Sequence, residues 1–421
     1  ERAYQKTPIR QEPAEERPLQ LRFDRRRVFA EMQEGLHQFG VKLGLELTAE
    51  LMKEEVERLC GARYAHQAER QATRYGSQPG VVTIASQKMR IRRPRVRSGR
   101  DGKEIPLELY GMAQREEAMP EAVLRRMVRG VSCRNYEGVI ETAKESLGVK
   151  RSSVSRSFHF ASKKKIAELA ERRFDGVRFP VIFIDGLCWA GTTMIVALGV
   201  AVNGQKHILG FREGRTENAV VCTALLEELI ERGISTEQGT LFVIDGSRAL
   251  RRSIVDLWRD RAHIQRCQAH KKRNLRGHVP EKLWPDVEKL LLRAWRETSA
   301  KEAMKHLQTL AAYLDRIAPD AAGSLREGME ETITVVRMKI APGLLPHLRT
   351  TNPIESAFST TRRLTRRVTN WRNGNMKHRW CATGLLEAER RFRRLKNYEH
   401  LDGLVAILDG TQNAVSEEKS A

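Results

Sequence analysis

The chain of 421 residues predicts an α/β fold built on a buried sheet, and three observations carry that prediction. Two short, fully apolar runs, 181–184 and 241–244, are rich in β-branched residues and read as central strands. Each closes in nearly the same way, Phe183-Ile184-Asp185-Gly186 and Val243-Ile244-Asp245-Gly246, which sets one aspartate where a buried strand meets solvent. Around these runs the hydrophobic period switches between strand and helix in an order that builds one sheet with helices against it.

Composition narrows the partners. The formal charge is +22, from 75 Lys plus Arg against 53 Asp plus Glu. Such a surplus favours a polyanion, nucleic acid before anionic membrane, over a basic surface kept for solubility. No run approaches the roughly 18 apolar residues of a spanning helix, and the opening Glu1-Arg2-Ala3-Tyr4 resembles no signal peptide. Cys60, Cys133, Cys188, Cys222, Cys267 and Cys381 are scattered without a paired framework, which suits a reducing cytoplasm.

The elements follow in order. Residues 1–25 carry Pro8, Pro13 and Pro18 among charges and read as a disordered leader. Over 26–78, Phe29, Met32, Leu36, Leu43, Leu47, Leu51 and Leu59 give helical spacing, broken near Gly40 and Gly44, and predict a helical region for DNA binding or dimerisation. Residues 79–115 change period. Val82, Ile84, Met89, Ile91 and Val96 sit among Lys88, Arg90, Arg92, Arg93, Arg95 and Arg97, with a hairpin turn at 99–102. This strand pair either lies along phosphates, through Arg92 and Arg95, or is a solvated edge protected by charge.

Within 116–176, helical periodicity over 135–147, a turn at Gly148-Val149 and a second helix opening at Lys150 describe a helix-turn-helix. Arg151, Ser153, Ser155 and Arg156 would then meet DNA. An ordinary helical hairpin with serine caps fits the same pattern, and the basic balance favours DNA. In 177–278, strands over 181–184, 194–202 and 206–211 join through turns at Gly191 and Asn203-Gly204. A helix (219–232), a strand (241–244), a helix (250–258) and a strand (262–266) follow. This is the order of a ribonuclease-H-like α/β domain, in which strands one and four are neighbours and Asp185 stands beside Asp245. Residues 279–348 read as an all-helical insertion, 349–400 as the last helices of the sheet domain, and 401–421 as a C-terminal tail.

Two carboxylates held side by side are costly without a cation between them, so Asp185 and Asp245 point to a divalent ion. A third ligand comes from Thr350-Thr351-Asn352-Pro353-Ile354-Glu355. Asn352 as helix cap with Pro353 just inside puts Glu355 in the first turn, facing the aspartates. Glu327, Glu330 and Glu331 lie in charged amphipathic surroundings and read as solvated surface. The chemistry expected is two magnesium (or manganese) ions, Asp185 bridging and Asp245 and Glu355 each completing one. Arg362, Arg363 and Arg366 extend the helix of Glu355 as a basic surface for DNA. Trp371-Arg372 and Arg379-Trp380 fit either packing aromatics with solvated arginines or stacking and phosphate contacts. Cys267 and His270 invite a zinc reading, but a structural zinc wants four ligands and no second cysteine pair lies near. Cys267 also fits a small buried residue, and His270 a helix cap or phosphate contact.

Across nearly the whole chain these residues resemble the Mutator-like transposases of bacterial insertion sequences (the insertion sequence 256 family). The motifs that carry the resemblance occur in one order: Ala197-Leu198-Gly199-Val200, Arg232-Gly233-Ile234, Gln265-Arg266-Cys267-Gln268-Ala269-His270 running on to Arg273-Asn274-Leu275, and Thr350-Thr351-Asn352 before Glu355. Leu187-Cys188-Trp189 and Ser247-Arg248-Ala249 depart from the commonest residues after the two aspartates. The resemblance implies a DNA transposase that binds terminal inverted repeats and cuts and joins DNA strands through Asp185, Asp245 and Glu355. It implies that Cys267, His270 and Asn274 lie close to the active site. Its partners would be double-stranded DNA, as transposon ends and target, and a second copy of the chain, because two ends must be held together. Two other classes stay open: a ribonuclease-H-like nuclease that cuts without strand transfer, and a domesticated, non-catalytic DNA-binding regulator, against which the retained carboxylates argue.

Overall fold

Leu43, Leu47, Leu51 and Leu59, spaced four and eight apart, lie on one uninterrupted helix, Leu36–Cys60. In the computed structural model, residues 32, 35–63, 72–84, 87–114, 118–139, 146–147, 151–214, 219–371 and 374–410 are described; the expected leader and residues 411–421 of the expected tail lie outside them, while the start of that tail is a helix, Leu401–Leu408, whose Leu401, Leu404 and Leu408 are buried in the core. Gly40 and Gly44, read as breaks, are inside the helix. A glycine there costs only about 1 kcal/mol, and Gly44 has a packing use: a Cβ would stand 3.0 Å from Ile84 Cγ2. Strand β1 (Ala72–Ile84) pairs antiparallel with β2 (Gln87–Ser98), and β2 with the two-residue β3 (Glu104–Ile105). The strand pair therefore starts at Ala72, opposite Ser98, inside the region 26–78 that was expected to be helical. That pairing partner lies 26 residues on, beyond the reach of local periodicity.

Met52, Val56 and Cys60 of the helix bury against Ala72, Val96 and Leu107. Glu55, 5% exposed, accepts from the backbone N–H of Glu108 (2.7 Å) and Leu109 (3.1 Å), and so satisfies the start of the Glu108–Gln114 helix. The chain divides into two compact units, 1–123 with 133–155, and 124–132 with 156–421.

The helix expected over 135–147 is not found where that stretch is described. Residues 137–139 make one 3-10 turn, and Ser146 bridges Met89 of β2 while Leu147 N–H donates to Lys88 C=O. The β2 edge offers backbone partners that helical periodicity cannot anticipate. Residues 140–145 and the turn at 148–150 lie outside the described residues. The second helix of the expected pair is present, as Arg151–Ala170.

In the second unit five strands form one sheet in the order β6-β5-β4-β7-β8. They are β4 (Val181–Trp189), β5 (Thr192–Val200), β6 (Lys206–Gly214), β7 (Thr240–Ile244) and β8 (Ala262–Arg266). β4, β5 and β6 form an antiparallel meander; β7 runs parallel to β4, and β8 parallel to β7. The side-chain period of two then sorts the core. Ile182, Ile184, Phe242 and Ile244 face the helices Ala219–Glu231 and Arg248–Trp258. Val181, Phe183, Leu241 and Val243 face the helices from Gln268 onward. The helical insertion is part of this second layer: Leu291, Trp295, Leu307 and Leu314 belong to the same apolar cluster as the sheet.

The Arg232-Gly233-Ile234 motif has a structural explanation. Arg232 is buried and donates to the carbonyls of Leu169 (2.6 Å) and Leu209, tying a helix end and β6 together. Gly233 turns the chain at φ 102°, where a Cβ would meet the Asp175 backbone at 2.8 Å.

Loss of the Glu55 acceptor should be visible in the first unit. Glu55→Ala leaves two helix-terminal N–H groups without a partner and is expected to cost about 1–3 kcal/mol, with Glu55→Gln recovering part of it; calorimetry that finds the alanine variant as stable as the parent contradicts this capping role.

Candidate metal centre and active site

The register of the parallel strands places the site. Ile184 stands opposite Ile244, and Ile244 opposite Arg266. The next residue on each strand, Asp185, Asp245 and Cys267, therefore leaves the sheet on one rung, with neighbours about 4.8 Å apart in the backbone. All three follow residues of one face and so turn to the other, the face of Phe183 and Val243. The ladder holds to its last rung, since Cys267 N–H donates to Ile244 C=O at 2.7 Å.

Asp185 was expected at the end of its strand and lies inside it. β4 continues to Trp189 because β5 pairs with it that far, with Asp185 opposite Val196, whereas β7 stops at Ile244. Asp185 is thus the first residue of β4 with a strand on one side only. It is 5% exposed, and one of its oxygens accepts from Gly186 N–H. Asp245 accepts from Ser247 N–H at 2.9 Å, in the turn that leads into Arg248–Trp258, and Ser247 caps that helix.

Two helices complete the site. Gln268–Arg276 starts directly from the rung with Cys267 as its cap, which puts His270 in its first turn. Asn352–Thr365 carries Glu355 in its own first turn. Its cap position is Thr351 and not Asn352, and Thr351 makes no side-chain cap bond, because its side chain is engaged elsewhere: the hydroxyl (3.4 Å), like the backbone N–H (3.3 Å), donates to Cys267 Sγ. Thr351 Oγ1 also lies 3.4 Å from His270 Nδ1. The helix of Glu355 is thereby docked on the strand end next to the aspartates. Ligand atoms of Asp185, His270 and Glu355 all lie within 4.8 Å of one another, with His270 Nε2 3.8 Å from Glu355 Oε1. Cys267 Sγ is outside this group, so the zinc reading gains nothing. Asp245 is outside it as well, yet close enough for its charge to act on both Asp185 and His270.

Burial pushes the Asp185 carboxyl up to about 6; His270 opposes the rise and Asp245 adds to it. His270 is pushed up to about 9, first by its hydrogen bond to Cys267 and then by Asp185 and Asp245, against the effect of burial. A buried carboxylate beside a second one, with a third in reach, is a set of hard oxygen donors short of positive charge. That suits a divalent cation such as magnesium or manganese, with the His270 imidazolium as a neighbouring charge and not a ligand.

The remaining motif residues separate into two groups. Gln265, Arg266, Gln268 and Lys271 are buried. Gln265 and Gln268 both donate to Thr332 C=O, Lys271 to the carbonyls of Ser324 and Glu327, and Arg266 to Glu327 C=O. They clamp the helical insertion to the strand end that carries the site. Sequence reasoning missed this role, although polar side chains in an otherwise buried strand were a signal for it. Asn274 is exposed. Glu327 and Glu331 are ion-paired with Arg248 and Arg251, and so are less free than the solvated surface expected of them.

Of the residues expected to meet DNA, Arg362, Arg363 and Arg366 are exposed. Residues seven and eleven positions after Glu355 return to its side of the helix, so Arg362 and Arg366 continue its stripe, about 10 and 16 Å along the axis. Arg92 is exposed and donates to Ser77 Oγ; Arg95 is paired with Glu104 at 2.7 Å. Arg151, Ser155 and Arg156 are exposed, while Ser153 is 8% exposed and turned inward. Trp380 packs on Phe158 at 4.5 Å, as a core aromatic, and Trp371 stands 4.5 Å from Trp189.

The raised Asp185 carboxyl has a stability consequence. Its folded value, about 6, exceeds the ordinary 3.8, so the ionised form costs stability above pH 6, and the cost disappears as pH falls below 4. In chelator at pH 8, Asp185→Asn should melt higher than the wild type, with a ceiling of about 3 kcal/mol. The gap should close towards pH 4, and magnesium should stabilise the wild type more than the variant. Equal melting at all pH values, with and without magnesium, contradicts the charge deficit.

The family model described as Transposase, Mutator family matches residues 26–394. The transposase for insertion sequence element IS1081 of Mycobacterium tuberculosis is 26% identical over 283 residues, 64% of this chain and 66% of the relative, just under two thirds of its length. The transposase for IS905 of Lactococcus lactis is 26% identical over 68% of this chain and 72% of its own. The transposase for IS256 in transposon Tn4001 of Staphylococcus aureus is 25% identical over 74% of this chain and 79% of its own. With a family match over most of its length, the chain belongs to the Mutator family of transposases.

Proposed function

We propose that the protein is a DNA transposase that binds the terminal inverted repeats of its insertion sequence and cleaves and joins DNA strands through Asp185, Asp245 and Glu355 on a ribonuclease-H-like sheet. The observation that carries this is the convergence of Asp185 and Glu355, 170 positions apart in sequence, at the rung shared with Asp245. Bound there, two magnesium or manganese ions would supply activation of a water, then of a DNA 3′ hydroxyl, for in-line attack at phosphorus.

The residues of the chain divide the remaining work. Asp185, the most enclosed acid of the set, is a neighbour of both Asp245 and Glu355 and would hold both ions. Asp245 and Glu355 would each hold one. Thr351 and Cys267 set the distance of Glu355 from the aspartates. His270, which faces Glu355 and feels both aspartates, supplies positive charge beside the carboxylates and orients Glu355. The stripe of Arg362 and Arg366 leads a DNA backbone to the carboxylates. No helix among the described residues is long and apolar enough to cross a membrane, and a second copy of the chain would hold the second DNA end.

Asp185→Asn, Asp245→Asn and Glu355→Gln should each abolish nicking and joining of an end-bearing duplex while DNA binding persists, because each removes ligand charge and leaves the basic surface intact. Full activity of any one of them in magnesium would sink the assignment. Cutting without joining in the wild type would instead identify a nuclease.

Reading and holding should also separate. Arg156→Ala is expected to weaken binding to the element end more than to scrambled duplex, since base-edge contacts carry about 1–3 kcal/mol of discrimination. Arg92→Ala should weaken both alike. Competition binding in which Arg156→Ala also loses both equally removes the Arg151–Ala170 helix as the reader.

A further inference from the structure

A second concentration of positive charge lies at the opposite end of the sheet from the carboxylates. A cavity of about 470 Å³ is lined by Arg172, Gln205, Lys206, His207, Glu389 and Arg394, with Phe392 at its wall. Lys206 opens β6 opposite Val200, which stands opposite Val181 at the start of β4. Asp185 is level with Phe211 through Val196. Val181 to Asp185 is four steps along β4, the extra residue of β6 being a bulge, so the cavity lies roughly 13 Å down the strands and about 10 Å across two of them, about 16 Å in all from Asp185.

The cavity is built and not a chance of exposed side chains. Leu395 N–H donates to Gly204 C=O at 2.8 Å, joining its two rims, and Gly204 lies so near Tyr398 that a Cβ would clash. Its acid is already taken. Glu389 accepts two hydrogen bonds from Arg172 (2.7 and 3.0 Å) and one from Ile208 N–H, and His207 Nδ1 stands 3.7 Å away. Burial pushes the Glu389 carboxyl up, and the donors of His207 and Arg172 outweigh it and hold it below its ordinary value. Lys206 is half-buried, and burial pushes its ammonium down with no carboxylate among the described residues opposing the shift. His347 is pushed down first by burial and then by Lys396 and Lys206. Arg394 is held by Tyr398, through its hydroxyl at 3.2 Å and its ring face, and not by an acid. A desolvated lysine with an arginine and a second lysine near it, and the local carboxylate spent, is an arrangement short of one anion.

We propose that this cavity binds a backbone phosphate of duplex DNA through Lys206 and Arg394, as a second holding point about 16 Å from the carboxylates. It rests on the reading of DNA as substrate. At 3.4 Å per nucleotide along a strand, a backbone passing from the carboxylate end would reach it after about five nucleotides. A phosphodiester and a free phosphate offer the same oxygens to these groups, so the test must separate the two sources.

Binding of the full-length protein to element-end and scrambled duplexes is measured against salt for the wild type, Lys206→Met and Arg394→Gln, with thermal unfolding of each in the presence and absence of inorganic phosphate. Expected for both variants is an affinity loss of roughly three- to tenfold at low salt, equal for the two duplexes, and a salt slope shallower by about 0.9 for a lost phosphate contact. Lys206→Met should melt no lower than the wild type, since it removes a cation without a partner. Unchanged affinity and slope in both variants overturns the proposal while leaving the transposase reading intact, and a wild type that binds neither duplex overturns both. Stabilisation of the wild type alone by inorganic phosphate, with duplex binding unchanged, assigns the cavity to a free anion and overturns the DNA contact. A Lys206→Met protein that melts well below the wild type makes the lysine structural.

Discussion

Everything at the site depends on one feature of backbone pairing, the parallel register that sets Ile184, Ile244 and Arg266 on a single rung. Because β4, β7 and β8 run the same way, their next residues emerge together and on the same face. Asp185, Asp245 and Cys267 are therefore neighbours although 82 positions separate the first from the last. An antiparallel β7 would send Asp245 to the far end of the sheet. A shift of one residue would turn the carboxylate into the opposite apolar layer. The apolar runs that fill both layers are thus what hold the carboxylates together, against their repulsion and against the cost of burying Asp185.

The rung also explains how a helical layer becomes part of the site. Cys267 ends β8, caps Gln268–Arg276 and receives two hydrogen bonds from Thr351, so one small side chain joins a strand, the helix of His270 and the helix of Glu355. Gln265, Gln268, Lys271 and Arg266 spend their polar groups on carbonyls of the intervening helices. The long helical stretch between the second aspartate and the glutamate is in this way attached at the point where its position matters. Along 265–271 of this chain the buried clamp residues are interspersed with Cys267 and His270, which turn to Thr351 and Glu355.

Charge is distributed with similar economy. The proposed catalytic end of the sheet concentrates acids with one histidine among them, the stripe after Glu355 carries exposed arginines, and the far end of the sheet holds Lys206 and Arg394 around an acid that is already engaged. A DNA substrate drawn to a +22 protein would meet a few places that position it and many that only attract it. Several arginines of β2 belong to neither group: Arg93 and Arg95 share Glu104, and Arg97 lies over Tyr75 at 3.4 Å.

The sequence by itself determined the strands and helices between 181 and 266, their order, and the carboxylates to watch. Those elements are long or strongly apolar, and their period survives any tertiary context. Strand order alone then implied that Asp185 and Asp245 are neighbours, as the β4–β7 pairing shows. Only the tertiary structure decided what depends on partners distant in the chain. The Leu36–Cys60 helix runs through Gly40 and Gly44 because helix geometry tolerates glycine and Ile84 occupies the space at Gly44. Residues 72–75 are strand because 96–98 pair with them, and Ser146 joins β2 because that edge is open to it. Asp185 lies within its strand because β5 outlasts β7. His270 reaches Glu355 because two helix starts meet at one rung, a coincidence of first turns that no spacing within either helix records. Local residue pattern is a property of a few neighbouring positions, whereas a site made of four chain segments is a property of register, and register exists only once the strands have paired.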